Sequence, residues 1–474
     1  MPFLEFVGQS RKDAAFAQAD TSRLVNCYRE PIEGGYQIRA DLGTVALANL
    51  SAVFMRAMEE VSGDIYAVCG GGLYRVEKFG TATRLGNVTD GEATISGNNG
   101  QIAIASGGTY YVWTGSAMTQ PVGGAFSAVG SVDFVGQQTV MTELGGRRFQ
   151  WSDPAAPETL NALSFATAEG RDDNILRGIV INGNVWLMKE KSCEVWYPTA
   201  TGFERISGGV IEKGLRAFGL VSRCDGGAFF VGNDGIVYLT DGAGLRPVST
   251  GGVETDIQIG QARRCFYYED EGHKFCVVQF SDRPAWKYDI STGEWSNRAS
   301  GTEHAPWRVV ASAKAWGYWH VGGDIGQVLR LDRTGEDHDG PLVRTAVSRT
   351  LSSGDYATLA MVELFGRTGE AEVGGELTTI LGGVNYFLQD VSGAALLVGT
   401  QALPTREPAV TLRLSTDGGR TWGKSRARTF GALGQYQKRA VWRALGRNRR
   451  WTAEVTMSDA VDTPIEARVR LEVA

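Results

Sequence analysis

The chain has 474 residues, with 43% hydrophobic and 21% charged side chains and a formal net charge of −6, an ordinary globular balance that excludes wholesale disorder. At roughly 100–200 residues per domain there is room for two to four domains, or for one large repeat domain and a smaller partner. No run of about 18 apolar residues is free of charges and glycine clusters, which excludes a spanning helix, and Met1 to Asp13 lacks the apolar core of a signal peptide, so a soluble, unsecreted protein is expected.

Glycine is the departure from average: 63 of 474 residues, against a usual share of about 7%. Such a chain turns often, and frequent turning means many short strands. Residues 1–60 show little periodicity beyond a helical stretch at Ala14 to Ala19 and form an N-terminal segment, a candidate for completing the repeats that follow. From about Gly63 to Thr334 one theme recurs: an alternating or aromatic strand, a Gly/Asn/Asp turn, another strand, then a Gly-rich break. Ile65 to Val68 pairs with Leu73 to Val76, and Gln101 to Ile104 with Tyr110 to Trp113. A third unit holds Val132 to Val135, Thr139 to Met141 and Arg148 to Trp151, followed by a second helix candidate at Glu158 to Ala168. Next come Gly178 to Ile181, the Asn182-Gly183 turn, Val185 to Met188 and Cys193 to Trp196. Ala228 to Val231 turns through Asn233 to Gly235 into Ile236 to Leu239. The last two units are Phe266 to Tyr268 with Phe275 to Phe280 and Trp286 to Asp289, then Arg308 to Val310 with Tyr318 to Val321 and Val328 to Leu331.

Seven units are countable, with starts roughly 30–50 residues apart, the range of propeller blades; the irregular spacing fits six blades equally well. A four-stranded blade cannot bury both faces alone, whereas radial packing covers each blade with its neighbours. A large sandwich and an open solenoid are the competing readings. Tyr288 to Trp295 resembles the strand, turn and Trp of kelch-type blades, a packing signal. After Gly340-Pro341 the pattern changes. Strands at Val343 to Leu351, Met361 to Phe365, Val410 to Leu414, Ala440 to Arg443, Trp451 to Met457 and Ala467 to Val473 flank a weakly patterned Gly-rich stretch, Gly366 to Pro404. The expected fold is all-β: a β-propeller of six or seven blades over 61–338 and a β-rich, sandwich-like domain over 339–474.

Chemistry-bearing patterns are sparse. Cys27, Cys69, Cys193, Cys224, Cys265 and Cys276 are widely spaced and read as buried thiols; Cys265 and Cys276 alone fall on strands of one hairpin. The histidines, His273, His304, His320 and His338, have no metal-ligand spacing. The tip Glu269 to Glu271 reads as a solvated turn, and the Gly70 to Gly72 string lacks the Lys-Ser/Thr of a phosphate loop. No GxSxG elbow occurs. No catalytic, cofactor or metal site is assigned. Ser415, Asp417, Gly419, Thr421 and Trp422 stand as in the Asp-box hairpin of sialidases and many other β proteins, a fold element in which the Asp closes the turn. Charge is uneven: from Arg420 onward there are twelve basic and five acidic side chains, leaving 35 basic and 48 acidic elsewhere. Arg420, Lys424, Arg426, Arg428, Lys438, Arg439, Arg443, Arg447, Arg449 and Arg450, with Trp422, Phe430, Tyr436, Trp442 and Trp451 among them, form a candidate docking surface. It suits an acidic protein ring or, with aromatic stacking, a nucleic acid, or it is a solvated face.

Leu24 to Glu30, Ile95 to Ile104, and Ser415 to Trp422 with Arg428 to Gly431, Gly434 to Tyr436 and Arg443 to Arg447 together resemble the packaged-DNA stabilisation proteins of short-tailed bacteriophages, also called tail accessory or nozzle proteins. The resemblance implies a structural virion protein, not an enzyme. It implies a homo-hexameric ring below the portal and its adaptor, contacts with tail needle, tailspike or fibres, and transient contact with packaged DNA in an ejection channel. Synthesis in the host bacterial cytoplasm and residence in the virion tail follow. The alternatives left by the residues alone are a glycan-binding or glycan-cleaving propeller, suggested by the Asp-box, and a cytoplasmic kelch-like scaffold.

Overall fold

A computed structural model of the chain describes residues 4–5, 10, 21–33, 35–50, 54–242, 244–337, 340–366, 379–381, 384–386, 408–431, 435, 437–459 and 464–473. The helix candidate at Ala14 to Ala19 and most of the stretch between Gly366 and Pro404 lie outside the described residues. Two compact units are present, one of residues 9–17 and 44–331 and the other of residues 1–8, 18–43 and 332–474.

The first unit is a β-propeller. Six separate four-stranded antiparallel sheets and a seventh meander of the same build, Ala262–Asp270, His273–Phe280, Ala285–Asp289 and Glu294–Ser300, follow one another along the chain. Their first strands are Met55–Val61, Ala93–Asn98, Val129–Val135, Ile175–Ile181, Val221–Cys224, Ala262–Asp270 and Val309–Ala315. These strands surround an axial cavity of about 440 Å³ to which all seven contribute residues. The last blade closes with an earlier strand: Gly43–Asn49 pairs as the outer strand beside Gln327–Asp332. Joining the two ends of the repeat region in one sheet removes the free edge an open ring would keep.

Radial packing explains why the second strand of a blade reads as a continuous apolar run. In Asp64–Cys69, Ile65, Ala67 and Cys69 pack with Met55, Val310 and Val328 toward one neighbouring blade, while Tyr66 and Val68 pack with Ile95, Ile102 and Ile104 toward the other. Ala103 and Ala105 likewise face away from Ile102 and Ile104. Alternate side chains point to opposite faces, and here both faces are interior. The kelch-like segment works the same way. Asp289 accepts from the Ser291 amide at 2.9 Å and the Thr292 hydroxyl at 3.0 Å, which closes the turn. Trp295, fully buried, lies against Phe229 of the preceding blade and donates its indole N–H to the Val248 carbonyl at 2.7 Å.

One local reading is corrected, one element was not signalled by the sequence, and the cysteines are as expected. Glu158 to Ala168 is not helical; Ala156–Thr167 is the outer strand of its blade, paired with Arg148–Asp153 across two register shifts, so sheet pairing overrides a helix-compatible local sequence. A helix does occur at Gly251–Ile259, where no periodic signal marks it. Cys265 pairs with Val278 and Cys276 with Tyr267, so the two thiols are not opposite one another; all six cysteines are free and buried.

The second unit is a β-sandwich. One sheet runs Cys27–Ile32, Gly35–Ala40, Ile465–Val473, Leu351–Gly366 and Ala440–Arg443; the other runs Arg23–Val25, Arg344–Val347, Arg447–Met457, Ala409–Ser415 and Arg426–Thr429. The long strands Leu351–Gly366 and Arg447–Met457 join them, pairing Leu351 with Trp451 and Thr358 with Arg447. Leu359, Val362, Val410, Leu412, Trp442 and Val455 fill the space between.

Candidate docking surface

The basic stretch runs along the sandwich unit, and its side chains divide into three groups. Arg420 and Lys424 are exposed on the loop after Ala409–Ser415. Arg426 and Arg428 project from the edge strand Arg426–Thr429, which is tied to Ala440–Arg443. Arg428 Nε donates to the Val441 carbonyl at 3.2 Å, and the buried Trp442 donates its indole N–H to the Arg426 carbonyl at 2.9 Å. These bonds bring exposed Arg443 alongside them. Arg447, Arg449 and Arg450 start the long strand Arg447–Met457, all exposed, with the Arg449 guanidinium 4.9 Å from the ring centre of Tyr356.

Two members of the stretch have structural duties. Lys438 is half-buried and donates to the Thr429 hydroxyl at 2.9 Å. Arg439 pairs at 2.7 Å with Glu363, whose carboxylate is 6% exposed; a buried carboxylate needs that cation. Among the described residues no carboxylate lies within ion-pair distance of Arg420, Lys424, Arg426, Arg428, Arg443, Arg447 or Arg450. The aromatic half of the expectation is corrected. Phe430, Trp442 and Trp451 are buried in the sandwich core, and Trp422 is half-buried beneath the Arg413 guanidinium, so none of these offers an open face for base stacking. Tyr436 lies outside the described residues. Periodicity could have flagged Trp442, which alternates with half-buried Val441 and exposed Arg443 as a core position of a strand does.

The Asp-box sequence forms a closed turn. Asp417 accepts from the backbone N–H of Arg420 at 3.0 Å and of Thr421 at 2.9 Å, and from the Ser415 and Thr421 hydroxyls at 2.7 and 2.6 Å. Gly419 has φ 84° and donates to the Ser415 hydroxyl at 2.9 Å. The two hydroxyls, helped by the amides, hold the Asp417 carboxyl well below the usual carboxylate range. A carboxylate engaged this way is spent on its own loop. Among the described residues, no group of three His, Cys, Asp or Glu side chains is placed to hold a metal ion.

A family model of the bacteriophage P22 Gp10 β-propeller matches residues 10–334, and one of the Gp10 β-sandwich matches residues 392–454. The chain belongs to the Gp10 family of phage packaged-DNA stabilisation proteins. As a member of that family it is a structural tail protein of a phage, working in assembly with other virion proteins. No curated protein sequence matches it. Solved structures that match the chain include a computationally designed protein, Ika8, 14% identical over 70% of this chain and 100% of the other, with TM-score 0.38. BBS1N in complex with ARL6DN is 14% identical over 62% and 97%, with TM-score 0.44. BamB from Moraxella catarrhalis is 11% identical over 64% and 93%, with TM-score 0.39. At such distances these likenesses carry no argument.

Proposed function

We propose that this Gp10-family chain is the subunit of a tail nozzle or hub, assembling as a hexameric ring below the portal and adaptor, retaining packaged DNA and forming part of the ejection channel. Family membership is the observation that carries the reading. The charge map supports it: a basic, unneutralised face on the sandwich unit suits docking to an acidic protein ring, while the net acidic remainder of the chain disfavours tight adhesion of DNA. Burial of Phe430, Trp442 and Trp451 favours protein docking over nucleic-acid stacking for that face. The role is structural, without catalysis. Needle, tailspike or fibres are the neighbours expected on the far side of the ring.

Electron microscopy of the purified protein mixed with adaptor-bearing heads tests the proposal. A ring of density on the portal axis is expected, and heads that retain DNA better with the protein than without it. Heads lacking axial density at saturating protein would sink the reading.

A further inference from the structure

Five of the propeller's inner strands carry the same irregularity. Register shifts fall between Met55 and Ala57, Val129 and Ser131, Ile175 and Arg177, Ala262 and Arg264, and Val309 and Ala311. A bulge re-aims the residues around it, and because it recurs near the start of each strand, the residues after it occupy equivalent positions around the axis. Those residues are Ala57, Ser131, Arg177, Arg264 and Ala311, all lining the axial cavity except Ser131, which borders it through Gly178. Three are small. The other two are arginines.

Those two arginines converge on one piece of backbone. Arg264 lies over Gly219, where a Cβ would collide with the Arg263 carbonyl oxygen and the Arg264 guanidinium. Arg177 contacts the same segment, with Nη1 at 3.4 Å from both the Phe218 and Val221 carbonyl oxygens, and its Nε is buried without a partner. Arg264 has a carboxylate, Glu92 at 2.6 Å. Arg177 has none within ion-pair distance among the described residues. Burial, and then the Arg264 charge, pull the Arg177 guanidinium down to about 10. The carboxylates lining the cavity do not cancel it: Asp133 is taken by Arg223 at 2.8 Å, Glu60 accepts the Gly63 amide at 2.6 Å, and burial pushes the Glu59 carboxyl up, toward its neutral form. Two like charges gathered in a shielded space, one without a carboxylate counter-ion among the described residues, make a site that an anion would complete.

We propose that the Arg177–Arg264 level of the axial cavity binds a small oxyanion of the phosphate class, either free or as the phosphate of a mononucleotide. The cavity volume, about 440 Å³, is within the usual span of small-ligand sites, roughly 300–1,000 Å³. A second cavity of about 660 Å³ shares Arg56, Phe218, Gly219 and Arg264 with it. The bidentate forks of two arginines match phosphate oxygens in a way a lysine pair would not. The site is independent of the ring proposed above.

Isothermal titration of the full chain with pyrophosphate and with deoxyadenosine monophosphate, against chloride at equal ionic strength, tests the assignment. One saturable site per chain is expected, weakened at least tenfold in Arg177→Met and in Arg264→Met, with a ligand-dependent rise in melting temperature lost in the same variants. Tighter binding of the mononucleotide than of pyrophosphate would identify the nucleotide as the source of the phosphate. Should Arg177→Met fail to fold, Arg177→Lys keeps the charge but loses the fork and should still weaken binding. Absence of saturable binding, binding unchanged in both arginine variants, or binding abolished by reversing Arg447, Arg449 and Arg450 would overturn the proposal; the last would place it on the exposed basic face.

Discussion

Arg223 reaches past the fourth blade to Asp133, ninety residues earlier in the chain, with 2.8 Å between guanidinium and carboxylate. The pair is unequal. The Asp133 carboxylate is 8% exposed and also accepts the amides of Phe134 and Val180 at 2.8 and 2.7 Å, whereas the Arg223 side chain is 49% exposed. Asp133→Ala removes the acceptor of a Val180 amide that belongs to another blade and strands a cation in the cavity. We expect a loss of about 2–3 kcal/mol in urea unfolding. Arg223→Ala, which leaves Asp133 its two amides, should cost no more than about 1 kcal/mol. Equal losses for the two variants would show that the ion pair, and not the amide bonds, secures the blades.

Trp295 ties two blades through both its ring and its N–H. Beyond Phe229 it touches Trp286 and Tyr288, with ring centres 6.1 and 5.1 Å away. Trp295→Ala should destabilise the propeller by about 3–5 kcal/mol through the cavity it leaves, read as a fall in the thermal midpoint. Phe79, 91% exposed, is the control, and Phe79→Ala should stay within about 0.5 kcal/mol of the parent. A small effect at Trp295 would mean that the blades close over the gap.

How much of this was readable beforehand depended on sequence distance. Turns such as Asn182-Gly183 announce themselves because the residues that permit the turn are adjacent, and the second strands of blades are apolar on both faces. The Ala156–Thr167 strand was misread because its determinant is its partner, Arg148–Asp153, and not its own composition. The Gly251–Ile259 helix begins with two glycines, and Thr250 makes no side-chain capping bond, so neither propensity nor a cap signals it. The axial cluster was invisible for a topological reason: Arg177, Arg223 and Arg264 come from three successive blades, and only the radial packing of those blades brings them together. On the sandwich unit the exposed arginines were legible as a charge run, but the inward direction of Trp442 and Trp451 required the strand register.

His320 should make stability depend on pH. It is 1% exposed, its Nδ1 has no hydrogen-bond partner, and burial, reinforced by the nearby Arg330 charge, brings it down to about 4. In the unfolded chain it titrates near the ordinary value of about 6.5. Between those two values the unfolded state binds a proton that the folded state refuses, so stability falls as pH drops from about 6.5 to about 4 and levels off below, by about 3 kcal/mol at most. His320→Gln lacks this term. The stability difference between parent and variant should therefore shift in favour of the variant between pH 7.5 and pH 4.5, and a difference that stays constant would show that His320 is protonated normally in the folded protein.

Reversal of Arg447, Arg449 and Arg450 to glutamate separates assembly from folding. All three are exposed at the start of a strand whose later residues, Trp451, Ala453 and Val455, supply the core contacts, so the substitutions should each change stability by no more than about 0.5 kcal/mol. The docking surface, by contrast, changes by six units of charge at one place. Incorporation into head-borne rings should drop at least tenfold, and the parent protein should assemble less well at high salt while the variant shows little salt response, as expected when steering by opposite charges is lost. The decisive comparison is a calorimetric melt beside an incorporation assay on the same preparation. An intact melting transition with failed incorporation supports docking through this face. A lost transition with undiminished incorporation would assign these arginines to the fold instead.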